Sequence, residues 1–174
     1  GFAEEEEVPS IAILPFENKG PAEDDFYAYG ISSDLITDVT SAGLIRVAGL
    51  NDIEKLDYDK MNYGELADKL LVRYVAKGTL WKMDTIFQLS MEIFDTKSSE
   101  VIYNKRWQTN WKDLAIIKGD LSDNILEKMN VEILGDPEKF TDVNPDAYEL
   151  FLKGKYLFIN RKSFNDVEVA RDLF

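Results

Sequence analysis

Phe87-Gln88-Leu89-Ser90-Met91-Glu92-Ile93 is the stretch that decides the fold. Apolar and polar side chains alternate through it without a break, the period of a strand with one buried and one wet face. Tyr74 to Trp81 precedes it across a turn near Asp84, and Val101 to Gln108 follows it across Thr96-Lys97-Ser98-Ser99. Three such runs in succession predict an antiparallel meander.

Upstream the pattern changes. Ser10-Ile11-Ala12-Ile13-Leu14-Pro15-Phe16 is a continuous apolar run bounded by Pro9 and by Glu17-Asn18-Lys19-Gly20-Pro21. It predicts a strand covered on both faces and ended by Pro15. From about Asp25 to Ala42 the spacing is helical, with Ile31, Leu35 and Val39 at i, i+4 and i+8, and Gly43 where a C-terminal glycine belongs. Leu44-Ile45-Arg46-Val47-Ala48 predicts a second short buried strand, and Asn51 to Lys60 reads as polar and irregular. Tyr63 to Leu71 predicts a short amphipathic helix with Leu66 and Leu70 on one face. Asn62 is its N-cap, and Glu65 lies at close to capping-box spacing.

Downstream, Leu114, Ile117, Leu121, Ile125 and Met129 predict a third amphipathic helix. Gly135-Asp136-Pro137 then breaks the chain. From Asp146 the pattern is helical again, with Ala147, Leu150, Phe151, Gly154 and Leu157 sharing a side, and a second helix predicted from near Asn165. The order β-α-β-α-β-β-β-α implies an α/β domain of the α+β kind, one mixed sheet with helices packed on it. The organisation reads as an acidic tether over residues 1–9 and the α/β domain over 10–134. A linker covers 135–145, and the truncated start of a helical repeat covers 146–174. Gly1 reads as a tag scar and Phe174 as a stop inside a helical stretch, so the sequence is expected to be an excised fragment.

Composition narrows the function. Among 174 residues there is no cysteine and no histidine. Disulfides, thiolate metal sites and imidazole-based acid–base chemistry are therefore excluded. Thirty-three acidic residues against 20 basic ones leave a formal charge of −13, which repels phosphate backbones and anionic lipid head groups. Nucleic acid is not expected as a partner. No apolar run approaches the roughly 20 residues of a membrane helix, so no direct membrane insertion is expected.

Candidate sites carry bland readings beside the functional ones. Glu23-Asp24-Asp25 and Asp57-Tyr58-Asp59 lack the spacing of a calcium loop and read as charged helix starts or surface. Gly30, Gly43 and Gly49 stand outside any phosphate-binding glycine motif, and Gly30 reads as permitting close helix–sheet packing. Trp81, Trp107, Trp111 and Tyr103 read as cross-strand packing or as an aromatic ligand wall. Lys105, Arg106, Trp107, Trp111 and Lys112 form the one locally basic, aromatic stretch and are the candidate partner surface; the alternative is a charge-protected strand edge. Glu17, Asn18 and Asn51 mark the ligand edge expected at the carboxyl ends of the first two strands if the domain is a small-molecule sensor. Glu17 or Asp52 would be the carboxylate base of a third, enzymatic reading. No cofactor, no metal and no catalytic residue is expected.

Ser10 to Asn18 resembles the "S-I-A-V-L-P-F-x-N" start of a bacterial module similar to the amino-terminal domain of TolB. Phe26-Tyr27-Ala28-Tyr29-Gly30-Ile31 resembles its "Y-F-A-D-G-I", Asp34-Leu35-Ile36-Thr37 its "D-L-I-T", and Leu44-Ile45-Arg46-Val47 its "G-L-R-V-I". Val72 to Leu80 resembles "V-R-Y-V-L-E-G-S-V", and Gln88-Leu89 with Ile93-Phe94-Asp95 follows its "A-Q-L-I-D" strand. Asn144-Pro145-Asp146-Ala147-Tyr148 onward resembles the entry into a first tetratricopeptide repeat, with Ala170 and Phe174 as the A-x-x-x-F pair of the second helix. The span from Gly154 to Ala170 is longer than a standard repeat allows. The resemblance implies a TolB amino-terminal-like domain followed by a helical hairpin in a multidomain signalling protein, often one with an adenylate or guanylate cyclase, kinase or winged-helix domain. It implies no enzymatic role for this part, protein partners of unstated identity, and an extracytoplasmic place in a membrane-anchored bacterial protein. The small-ligand sensor remains the alternative.

Overall fold

The structure, a computed structural model, describes residues 8–129 and 144–159. The acidic tether over Glu4 to Glu7, most of the linker, and the second repeat helix with Phe164, Ala170 and Phe174 lie outside the described residues.

The alternating stretch forms β5 (Ile86–Asp95), between β4 (Tyr74–Met83) and β6 (Glu100–Asn110), both antiparallel to it. Phe87, Leu89, Met91 and Ile93 are buried and the residues between them are not, as the period requires. Asp84 turns the first hairpin with a left-handed φ of 58°, which aspartate tolerates. Ser99 does the same in the second. A bulge places Tyr103 opposite Ile93 but Val101 opposite Phe94.

The chain's first strand, β1 (Ser10–Ile13), runs parallel to β4 and to the short β3 (Arg46–Val47), giving the order β3-β1-β4-β5-β6. The strand expected to end at Pro15 stops at Ile13, since Pro15 cannot donate to the ladder. Pairing resumes at β2 (Glu17–Asn18), again parallel to β4 but with one extra residue on its side. The Phe16 amide, turned off the ladder, donates to Ser32 Oγ at 2.7 Å. The Phe16 ring lies across Gly78, where a Cβ would come within 2.9 Å of it and 2.7 Å of the Ser90 carbonyl. Glycine is required there by space.

One face of the sheet is covered by α1 (Asp25–Ala42), α4 (Leu114–Lys128) and α5 (Pro145–Ile159), around a core of Ile11, Ile13, Ile31, Leu35, Leu80, Phe87 and Leu121. The other carries α2 (Leu50–Glu54) and α3 (Tyr63–Leu70) over Ala12, Leu14, Ile53, Leu66 and Val75. Asn62 caps α3 reciprocally. Its Oδ1 accepts from the Glu65 amide and its Nδ2 donates to the Glu65 carboxylate, each at 2.9 Å.

Three expectations change. The stretch Asn51 to Lys60 is not irregular, because Ile53, fully buried, anchors α2, and a 3-10 turn follows at Tyr58–Lys60. The strand predicted over Leu44 to Ala48 shrinks to Arg46–Val47, with Leu44 exposed. Gly43 follows α1 in an extended conformation, φ −165°, so its position makes no demand for glycine.

Candidate functional site

The most elaborate constellation of side chains lies where α5 meets α1 and α4. Helix α5 starts at Asn144, whose side-chain oxygen accepts from the Asp146 amide at 2.9 Å and the Ala147 amide at 3.4 Å. Pro145, next in line, has no amide to leave unpaired. The helix then lies against α1 at Gly30. A Cβ on Gly30 would sit 2.9 Å from Leu152 Cδ2 and 3.3 Å from Leu152 Cα, so the two helices touch nearly backbone to backbone. Leu152 is fully buried in the main core. Gly30 thus permits helix–helix packing, not the helix–sheet packing expected. The side of α5 expected to be apolar also shifts, because Tyr148, Leu152 and Gly154 face inward while Leu150 and Phe151 are exposed.

Beside Leu152 lies a cluster of charges. Lys118 of α4 is 4% exposed. Its Nζ lies 3.1 Å from Asp34 Oδ2 and 2.5 Å from Asp38 Oδ2, both on α1. Ser122 Oγ donates to Asp38 at 3.4 Å, and the Tyr148 hydroxyl of α5 donates to Asp34 Oδ2 at 3.0 Å. Burial pulls the Lys118 ammonium down, but the two carboxylates outweigh it and hold it above its ordinary value. Burial, reinforced by Asp34, pushes the Tyr148 phenol well up, so it stays a donor. Burial lowers Lys155, against the pull of Asp34 and Asp38. Two acids, two lysines and a phenol from three helices thus meet within one low-dielectric seam, where paired charges bind strongly and an orphaned one is costly.

This arrangement is a lock. Asp34 and Asp38 are engaged by ammonium and hydroxyl donors, and the bonds tie together residues from 80 to 114 positions apart. Asp34 belongs to the stretch resembling "D-L-I-T" and Tyr148 to the one resembling the repeat entry, so two separate motifs meet in one hydrogen bond. Lys118 and Asp38 were not among the residues singled out from the sequence. The signal was there: Lys118 interrupts the apolar stripe Leu114–Leu121–Ile125, and Asp34 and Asp38 interrupt Ile31–Leu35–Val39.

The sequence-chosen residues fall elsewhere. Trp107 pairs with Leu89 and packs with Trp111 and Tyr103 against the core. Lys105 reaches over the Trp107 ring at 5.0 Å. Arg106 alternates to the opposite face of β6, opposite Ser90, and Lys112 is exposed in the turn before α4. The five residues therefore line the β6 edge but do not share one face, and Trp81 is exposed on the side of β4 opposite the core. Glu17 pairs with Lys19 at 2.9 Å. Asn18 builds its own loop, donating to the Pro21 carbonyl and to Asp25 and accepting from the Gly20 amide. Asn51 is exposed on α2, and Asp52 lies 3.9 Å from Lys55. Among the described residues no three acidic side chains converge as a metal site would require, and no helix is long and apolar enough to cross a membrane.

No family model matches the chain. It is 23% identical over 170 residues to a protein of Rhizobium meliloti (strain 1021) named as an adenylate cyclase, a match that spans 95% of this chain but 29% of that relative's length. Its architecture superposes on TolB of Acinetobacter baumannii with a TM-score of 0.52 at 17% identity, over 70% of this chain and 28% of TolB. It also superposes on lipoprotein GNA1162 of Neisseria meningitidis with a TM-score of 0.51 at 12% identity, over 68% of this chain and 99% of that one. The chain has the mixed α/β fold that the TolB resemblance implied.

Proposed function

We propose that this chain is a non-catalytic interaction and regulatory module of a multidomain bacterial signalling protein. It holds the helical segment after it, the start of a tetratricopeptide array, in one orientation relative to an output domain. The single observation that carries this reading is the seam. Helix α5 is fixed by a glycine contact, a buried core residue and hydrogen-bonded charges on α1 and α4, so a force or partner acting on the segment beyond α5 is passed directly into the α/β body. Side-chain packing plus a buried ionic network is what a rigid interdomain joint needs; a flexible linker would need neither.

The Rhizobium meliloti relative supports a cyclase as the output domain, since the similarity covers a fraction of a longer protein. The bacterial lipoprotein that shares the fold supports an extracytoplasmic place for the module. Its partners on this reading are proteins, met through the repeat array and the exposed β6 edge at Lys105 and Trp107.

The test is to open the seam in a cyclase-bearing parent with Tyr148→Phe combined with Gly30→Val. Hydrogen exchange should show α5 losing protection while β4 and β5 keep theirs, and cyclase turnover should change. Unchanged turnover with α5 demonstrably released would overturn the coupling reading.

A further inference from the structure

An open cleft of about 510 Å³ lies beside the seam, between the N-terminus of α1, the end of β4 and the outer flank of α5. That size suits a small metabolite. Asp24, Phe26, Tyr27, Lys82, Glu149 and Lys153 are among its walls.

Its charges are incompletely paired. Asp24 is 8% exposed, and although it occupies the N-cap position of α1 its side chain makes no capping bond. Lys82 is the cation that offsets its charge, yet the two do not close into an ion pair. Instead Lys82 Nζ lies 5.6 Å over the Tyr27 ring. Across the cleft Lys153 is already taken by Glu149 at 3.1 Å and sits 5.0 Å over Phe26. Burial holds the Asp24 carboxyl above its ordinary range, so its charge carries a desolvation cost. A cation seated on it would relieve that cost. The ammonium of Lys82, held off to one side, is then placed to meet an anion on the same ligand.

We infer that this cleft binds a small zwitterion of the α-amino-acid type, its ammonium on Asp24 and its carboxylate on Lys82. Two opposite charges on one cleft, not joined in an ion pair, match a ligand that carries both signs. Because Glu149 and Lys153 belong to α5, such a ligand would touch both the α/β body and the docked helix.

Binding of this kind is independent of the coupling role, since it is read on the chain alone. The common L-amino acids, screened singly by calorimetry and thermal melting, are the probes, with n-butylamine and butyrate as single-charge controls. At least one amino acid should bind and raise Tm while neither control does. Asp24→Asn and Lys82→Gln should each weaken that binding about tenfold or more. Circular dichroism establishes that each variant is folded. Should Asp24→Asn fail to fold, Lys82→Gln and the controls decide alone. The inference is overturned if no amino acid binds the folded chain. It is equally overturned if butylamine binds as well as the zwitterion, or if both variants bind it as the parent does.

Discussion

The α1–α4–α5 seam and the β4–β5 hairpin are built from the same two devices, one glycine that allows close approach and one ionic cluster that fixes position. In the seam these are Gly30 against Leu152 and Lys118 between Asp34 and Asp38. In the hairpin they are Gly78 under Phe16 and Asp95 in the fork of Arg73, with Nε and Nη2 at 2.9 and 2.8 Å from the two carboxylate oxygens. The devices differ in reach and burial. Arg73 and Asp95 are 22 residues apart, and the arginine is half in water. Lys118 bonds a residue 80 positions away and is almost wholly buried. A rim clamp can be lost and the sheet still registers through its apolar alternation. The buried lock has no substitute, because removing one member leaves charge stranded in the core.

The sharpest break of that contrast is Lys118→Met. It removes the ammonium bonded to both Asp34 and Asp38 and should cost about 3–5 kcal/mol, read as a fall in the urea midpoint at unchanged m-value. Triple replacement of Lys118, Asp34 and Asp38 by apolar residues should recover much of the loss; if it does not, packing matters more than charge in the seam. Gly78→Ala comes next. Its Cβ would meet a backbone carbonyl, which cannot swing away, so about 2–3 kcal/mol is expected by the same assay. Gly30→Val should cost less, about 1–3 kcal/mol, because the nearest atom it meets is the end of a leucine side chain and a glycine is removed from a helix. Its signature is selective: hydrogen exchange should rise in α5 and remain low in β5. A uniform rise across both would mean that α5 and the sheet unfold as one unit.

The two regions also differed in how legible they were. The hairpin was written in the local sequence, since Phe87 to Ile93 alternates and a one-residue slip would expose its whole buried set. Asn62 announced its cap for the same reason: a cap is satisfied within three residues. The seam was not written locally. Nothing near Lys118 says which acid will meet it, and only its place in an apolar stripe marks it as buried. The helix α2 was missed because a single apolar residue, Ile53, anchors it and five residues are too few to show a period. The candidate partner stretch around Trp107 is divided between two faces, because neighbours along a strand point to opposite sides, so Lys105 and Arg106 are parted by the geometry that makes them adjacent.

The smallest expected effect belongs to Asp95→Asn, and pH exposes it. The Arg73 guanidinium, helped by the Lys97 amide and opposed by burial, holds the Asp95 carboxyl at about 2 against an ordinary 3.8. A group whose pKa falls on folding binds fewer protons native than unfolded. Its contribution is therefore complete above pH 3.8 and disappears as pH drops toward 2. At neutral pH asparagine keeps the acceptor for the Lys97 amide but loses the charge, and with Arg73 partly solvated the loss should be about 1–2 kcal/mol. The wild-type and Asp95→Asn stability curves should thus run parallel from pH 7 to about 4 and converge by about 2. The same gap should narrow in high salt, because the arginine lies within reach of mobile ions. A gap that persists at pH 2 would mean that Asp95 acts by shape rather than by charge. The hairpin clamp would then differ from the helix lock in kind, and not only in burial.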